Sequence, residues 1–260
     1  MKIITVNIRS IILGITAFCI VLCLILVLIS ANTFATASTA QLDKSDTIPI
    51  YRVTLQEGDK RIAITFDNAW GADDIPEILA ALKKHNAKAT FFVLGTWAEK
   101  FPDMVQLIHE AGHELANHSY AHKKPTRLSE SDLKEEITKG NDVIRTFTGT
   151  DNRLYRAPYG DYNEFVVRTV NSMGMYMIQW DVDSLDWKPE MTEEAIYKRV
   201  TERVKEGSII LFHNDTKHTK NILPEILETL TSQGYVSVTV SELIYKDEYG
   251  IDNAGEQYRK

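Results

Sequence analysis

Two histidines four positions apart, His118 and His122, form an H-x-x-x-H pair. That spacing brings two imidazoles to one side of a helical turn, where they could chelate a divalent cation. The pair alone is weak, because the chain has seven histidines and His109 with His113 repeats the spacing, although Gly112 should break a helix between those two. Asp67 and Asn68 follow the apolar run 62–66, either as an acid and an amide facing a ligand or as an ordinary turn pair. Asp73 and Asp74 compete as acidic ligands, but Asp74 stands before Ile75-Pro76, where proline suits the first turn of a helix. His213 ends the apolar run 208–212, which would hold an imidazole at a rim or simply bury it. Arg156, in Arg156-Ala157-Pro158-Tyr159, could keep a carboxylate ionised or form a plain salt bridge. Between Trp180 and Trp187, the carboxylates of Asp181, Asp183 and Asp186 crowd one loop. That loop is either packed on core aromatics or a wall on which a sugar stacks beside an acid that tunes a neighbour.

These residues gain a common address from the elements that carry them. After a polar stretch over 41–50, short β-rich runs alternate with segments of helical period. Strands are predicted at 61–66, 89–94, 114–117, 154–156, 175–180, 208–212 and 235–240, and helices at 74–85, 103–111, 130–147, 164–172, 193–205 and 223–232. Ser129 reads as an N-cap, and Gly112, Gly174, Gly207 and Gly234 stand where helices should stop. The alternation is that of a parallel α/β domain, closed as a barrel or open and doubly wound, and in both cases ligands bind at the C-terminal strand ends. Asp67 and Asn68, His118 and His122, Arg156 and Tyr159, the 180–187 loop and His213 all lie just past such ends, and the strand N-termini show no comparable set. The tail from Asp247 is polar and expected to fray.

With 44% hydrophobic and 25% charged residues, the 260-residue chain has the composition of an ordinary folded protein. Lys2 and Arg9 precede an uncharged apolar run over 11–29, which reads as an export leader with its N-terminus inside. The run is long enough to span a bilayer, and small-residue sites follow at Ala35-Thr36-Ala37 and Ser38-Thr39-Ala40, so retention as a membrane anchor and cleavage are both open. Residues 1–40 are thus expected to be a signal peptide or anchor, 41–59 a linker, 60–245 the domain and 246–260 a polar tail. Both cysteines, Cys19 and Cys23, lie in the apolar run, which excludes a disulfide framework and a cysteine nucleophile from the exported part. The net charge of −7 becomes −9 without Lys2 and Arg9, so nucleic acid is not an expected partner. A neutral or weakly charged substrate fits better.

Taken in order, Thr65-Phe66-Asp67-Asn68, His118-Ser119-Tyr120-Ala121-His122, Arg156-Ala157-Pro158-Tyr159, Asp183-Ser184-Leu185-Asp186-Trp187 and Leu211-Phe212-His213 resemble the five motifs of polysaccharide deacetylases of the NodB-homology type, carbohydrate esterase family four. The resemblance spans about residues 61–243. The 66–71 and 179–187 stretches look most like the PdaB-type proteins of spore-forming bacteria. It implies a distorted (β/α) barrel of about seven parallel strands and metal-assisted hydrolysis of N-acetyl groups on peptidoglycan or a related glycan, outside the cytoplasm, by a monomer. By position it makes His118 and His122 metal ligands, Asp67 the general base and His213 the general acid. Arg156 then orients Asp67, Asp186 supports His213, the Tyr159 amide helps hold the oxyanion, and Trp187 and Leu211 enclose the acetyl methyl. The cation implied is divalent, zinc first, with cobalt, manganese or nickel as alternatives. The departure is Asn68, where most of the family has an aspartate as third ligand. An amide with two imidazoles brings no charge to balance a dication, so affinity should fall. Some relatives with Asn here resemble muramic-acid-directed deacetylases. A glycan-binding homologue that no longer catalyses and an O-deacetylase are the alternatives.

Overall fold

The computed structural model describes residues 21–23 and 25, which are helical, and residues 47–260. The expected leader otherwise lies outside the described residues, among which no helix is long and apolar enough to cross a membrane. Everything below concerns the second of two compact units, Lys44–Lys260.

The chain builds an eight-stranded, all-parallel sheet flanked by helices. Its central strand is Arg61–Asn68 (β2), buried at every position after the first, as a strand covered on both faces must be. Period-two alternation divides it. Ile62, Ile64 and Phe66 join the large core under the helices, whereas Ala63 faces a second cluster with Phe92, Ala116 and Ile209. On one side β2 pairs with Ile209–His213 (β8), which pairs in turn with Val182–Asp183 (β7). On the other side follow Ala89–Val93 (β3), Glu114–Asn117 (β4), Leu154–Tyr155 (β5) and Tyr176–Met177 (β6). Val236–Val238 (β9) takes the start of the β2 edge, over Arg61–Ala63, before β3 begins its pairing at Ile64. The seven expected strands are all present. The additional one, β7, is a two-residue pairing inside an aspartate-rich loop, too short and polar to leave a sequence signal.

The helices are Ile75–Lys84 (α1), Gly95–Lys100 (α2), Pro102–Glu110 (α3), Glu130–Thr148 (α4), Glu164–Ser172 (α5), Glu193–Thr201 (α6), Thr219–Ser232 (α7) and Val240–Leu243 (α8). Ser129 caps α4 through the Asp132 N–H, as its sequence predicts. Gly149, at +66°, ends that helix in the left-handed conformation that a glycine adopts without strain. The short α2 and α8 were not anticipated. α7 starts four residues earlier than expected and carries Pro224 in its interior.

Strands β6 and β7 do not pair with each other, and the chain's own lead-in fills that seam. The Ile50 N–H donates to the Met177 carbonyl at 2.9 Å, the Gln179 N–H to the Ile50 carbonyl at 2.7 Å, and the Val53 N–H to the Gly207 carbonyl at 2.9 Å. Arg52–Val53 (β1) then runs parallel to Glu256–Arg259 (β11), itself antiparallel to Tyr249–Ile251 (β10). The tail expected to fray is therefore two strands of a three-stranded sheet. Its polar groups are consumed internally: the fully buried Gln257 side chain bonds both the Tyr245 N–H and carbonyl, and Asp252 accepts from the Ala254 and Glu256 N–H groups in the turn.

Candidate active site

Parallel register alone gathers the site. Asp67 on β2 is the Cα partner of His213 on β8. One step outward, Asn117 on β4 pairs with Tyr155 on β5, so the next residues, His118 and Arg156, leave the sheet side by side. The His118 N–H donates to Val93 and the Arg156 N–H to Asn117, extending the ladder to both.

Arg156 is completely buried and gives Nη1 to Asp67 Oδ1 and to Thr65 Oγ1, each at 2.8 Å, and Nη2 to the Gln179 carbonyl at 3.1 Å. Its guanidinium lies 3.9 Å from the Phe92 ring centroid, on the small-residue side of β2. Burial opposes ionisation of Asp67, but the His118, Arg156 and His213 charges and the Arg156 hydrogen bond outweigh it and hold the carboxyl below its ordinary value. Asp67 is thereby a carboxylate whose second oxygen stands 3.6 Å from His118 Nε2, too far for a hydrogen bond.

His118 places Nδ1 3.0 Å from the Arg156 carbonyl oxygen, which can only accept. That partner assigns the proton to Nδ1 and leaves the Nε2 lone pair free, the orientation typical of a metal-ligating imidazole. Burial depresses the His118 pKa despite Asp67, and pushes His122 down to about 4. Both rings are neutral donors near pH 7. Their centroids are 5.3 Å apart, and His122 lies 4.3 Å from the Tyr159 ring.

The expected helical turn is not what brings these imidazoles together. Residues 118–124 are an irregular loop in which Ser119 and His122 take φ of +77° and +57°. Such conformations cost non-glycine residues about 1–3 kcal/mol and persist only where surroundings over-determine them. Here the clamp is Glu136 of α4. Oε2 accepts from Ser119 Oγ and the Ala121 N–H, both at 2.9 Å, and Oε1 meets Lys123 Nζ at 2.8 Å. Asn117 Oδ1 takes the Ser119 N–H at 2.6 Å.

Across the cavity, His213 Nδ1 donates to Asp186 Oδ1 at 2.8 Å, while Asp186 Oδ2 accepts the His213 backbone N–H at 2.7 Å and Thr219 Oγ1 at 2.6 Å. Burial works against protonating His213, but the hydrogen bond and charge of Asp186, with Asp67 and Asp183 behind it, raise its pKa above the ordinary histidine value. Two neighbouring groups are thus driven in opposite senses, Asp67 toward carboxylate and His213 toward imidazolium, which is how an acid and a base are separated in one pocket.

A cavity of about 460 Å³ joins them, lined by Asp67, Ala69, Trp70, His118, His122, Tyr159, Gly160, Trp180, Asp183, Trp187, Leu211 and His213. Tyr159 sits at φ +62° in the Pro158–Gly160 turn with its ring exposed, Trp187 is half-exposed, and Leu211 is buried. Asn68 is adjacent but wholly buried and is not part of the cavity wall. Arg156 and Asp186 act from behind the wall. The structure turns away two of the sequence's candidates: Asp181 caps Ser208 and Ile209, and Asp74 accepts the Asp215 N–H at the head of α1. Sequence reasoning missed Trp70, Glu136 and Thr219. Only Trp70 carried a signal, as an aromatic three residues past the strand-end acid.

Metal fit turns on Asn68. Among the described residues no group of three or more His, Cys, Asp or Glu side chains is arranged to hold a cation. Both polar atoms of the buried Asn68 amide, and Nδ1 of His122, lack hydrogen-bond partners. An unmet buried polar group costs roughly 1–3 kcal/mol, so an unpartnered Asn68 carbonyl oxygen at the end of β2 and two neutral imidazoles at the same mouth of the sheet suit a cation bound by neutral donors.

A half-closed parallel barrel with a carboxylate–arginine pair, two imidazoles and a histidine–aspartate pair at its C-terminal mouth defines a class that comparison with known proteins identifies. The polysaccharide deacetylase family model matches residues 54–178. Over 211 residues the chain is 36% identical to the peptidoglycan-N-acetylglucosamine deacetylase PgdA of Listeria monocytogenes, covering 81% of this chain and 44% of that protein. Over 190 residues it is 36% identical to the peptidoglycan-N-acetylmuramic acid deacetylase PdaC of Bacillus subtilis, covering 73% and 40%. Among solved structures, a CE4 family pseudoenzyme from Bacillus anthracis superposes with a TM-score of 0.71 at 32% identity, over 82% of this chain and 74% of that one. The chain belongs to the polysaccharide deacetylase family. It spans less than half the length of PgdA and PdaC.

Proposed function

We propose that the chain is a peptidoglycan N-deacetylase acting outside the cytoplasmic membrane, to which its apolar N-terminal run delivers it. The observation that carries this reading is the register-paired Asp67 and His213, each with its own buried partner driving it to the opposite protonation state. Asp67, kept ionised by Arg156, takes a proton from the water that attacks the acetamide carbonyl. His213, kept protonated by Asp186, gives its proton to the departing amine as the C–N bond breaks, so acetate and a free amino sugar result. The backbone amide of Tyr159 steadies the developing oxyanion, and Trp187 with Leu211 receives the methyl. His118 Nε2, His122 and the Asn68 carbonyl would hold a divalent cation, zinc first, with cobalt, manganese or nickel as alternatives. When bound, such an ion supplies polarisation of the carbonyl and acidification of water to a pKa of roughly 7.

The relatives divide between N-acetylglucosamine and N-acetylmuramic acid in their names, and the sugar taken by this chain is read from which product appears. The test is acetate release from cell-wall glycan. The protein should release it, and Asp67→Asn or His213→Ala should abolish release; equal release by either variant overturns the assignment. A second reading, a glycan-binding homologue without turnover, is favoured by the uncharged third ligand at Asn68 and by the likeness to a pseudoenzyme. Binding of glycan without acetate release, with zinc, cobalt, manganese and nickel each supplied, selects it.

A further inference from the structure

The histidine–aspartate pair does not end at Asp186. Three donors reach that carboxylate: His213 Nδ1 on Oδ1, and both the His213 backbone N–H and the Thr219 hydroxyl on Oδ2. The first two tie Asp186 to His213 itself. The third comes from the start of α7, 33 positions along the chain, and has no part in the proton transfers above.

Thr219 is completely buried, so its hydroxyl has no bulk water to turn to. It lies 2.6 Å from Asp186 Oδ2 and 2.7 Å from Thr216 Oγ1. A hydroxyl has one proton to give, and a carboxylate only accepts. The Thr219 proton therefore goes to Asp186, and Thr216 must donate to Thr219. The Thr219 N–H returns to Thr216 Oγ1 at 3.3 Å, which closes a small ring and holds both side chains in place. Thr216, Thr219, Asp186 and His213 thus form one directed chain of hydrogen bonds, in which each link polarises the next. The effect on His213 has a definite sign. A hydrogen bond donated to a carboxylate draws off charge and makes it a weaker base. Asp186 then holds the imidazolium firmly enough to keep it charged, but not so firmly that the proton stays behind when the amine leaves. The other charged or titratable groups that share the cavity with His213 are Asp67 on β2, Asp183 on β7, and His118 and His122 in the loop after β4. None of them touches Thr219, whose neighbours His218 and Lys220 are turned to Glu193 and Glu77.

We propose that Thr219 is a positioning residue for the hydrolysis, its hydroxyl setting, through Asp186, how readily His213 gives up its proton. The proposal rests on the acid role given to His213 above. Thr219→Val keeps the shape of the side chain and removes the donor. The alkaline limb of the acetate-release pH profile should then move up by about half a pH unit to one unit, the part of a charge-assisted hydrogen bond that the carboxylate passes on. A weaker acid should also lower kcat, by about two- to fourfold, with KM unchanged. Thr219→Ser should restore both. Thr216→Val, which removes only the outer link, should move the limb in the same direction by less, and carries the test if Thr219→Val does not fold. The His213 titration itself, followed by NMR on the full chain with labelled histidine and chelator present, should shift in the same order across the variants. A limb and a His213 titration that stay in place or move to lower pH overturn the proposal, as does a loss of stability with no change in either. The stated His213 shifts in a protein that releases no acetate would keep the hydrogen-bonded control of His213 and sink the deacetylase reading.

Discussion

Replacing Arg156 by methionine should make the protein's stability fall as pH rises across a window where the parent's does not. In the parent, Asp67 has a folded pKa below its unfolded value of about 3.9, so its contribution is fully present above that value and is lost as pH falls through the folded one. Arg156→Met leaves a carboxylate buried at 6% exposure with no guanidinium, and the residual help of His118 and His213 offsets only part of the loss. The folded pKa then moves above 3.9, and the group destabilises the fold increasingly as pH rises through it. Leaving one member of a buried pair uncompensated costs about 3–5 kcal/mol, which is the expected loss at pH 7. Near pH 4 a protonated Asp67 carries no charge, and the loss should shrink to about 1–2 kcal/mol for the abandoned Thr65 and Gln179 hydrogen bonds. Urea unfolding midpoints measured from pH 4 to 7 with chelator present would show this divergence. Adding Asp67→Asn to the variant should recover part of the loss at pH 7 but none near pH 4. A loss that does not vary with pH would refute the electrostatic account and assign Arg156 to packing against Phe92 and Trp180.

Asp186→Asn should lower the raised pKa of His213, so the alkaline limb of the acetate-release pH profile moves to lower pH; a limb that stays in place contradicts the pairing. Asn68→Asp supplies the charge that the proposed third ligand lacks. Divalent-metal affinity, measured by chelator competition, should rise by at least the roughly tenfold that even an outer-shell partner is worth. Glu136→Gln removes the charge that holds Ser119, Ala121 and Lys123, and should cost about 1–3 kcal/mol in urea unfolding together with a drop in metal affinity. Stability loss with unchanged metal affinity would separate the clamp from the imidazoles it is said to position.

The strand pattern was legible because β2, β3 and β8 are largely apolar runs, β2 and β8 ending in polar residues, and strand-end location then pointed to Asp67, His118, Arg156 and His213. What stayed hidden was non-local. The conformation of the His118–His122 loop is imposed by Glu136, a carboxylate that on its own helix reads as surface charge. The helix expected at 223–232 starts earlier, at Thr219, whose hydroxyl reaches Asp186 on a distant loop. Trp70 had only its place three residues past Asp67 to mark it, and the bonds that fix its neighbour Gly71 come from residues more than 140 positions away. The last strands escaped notice because β11 pairs with Arg52–Val53, some 200 residues earlier, and β10 pairs with β11.

That final pairing works as a clasp. A fragment trimmed to 60–245, the boundaries that the strand and helix pattern suggests, would discard Ile50, β1, β10 and β11 together. It would open the edge between Met177 and Ser208, on the very strands that carry His213 and frame Gln179, the carbonyl anchor of Arg156. The two ends of this unit therefore act as a hoop around the staves, and tags or truncations placed there reach the mouth that holds Asp67 and His213 through the sheet.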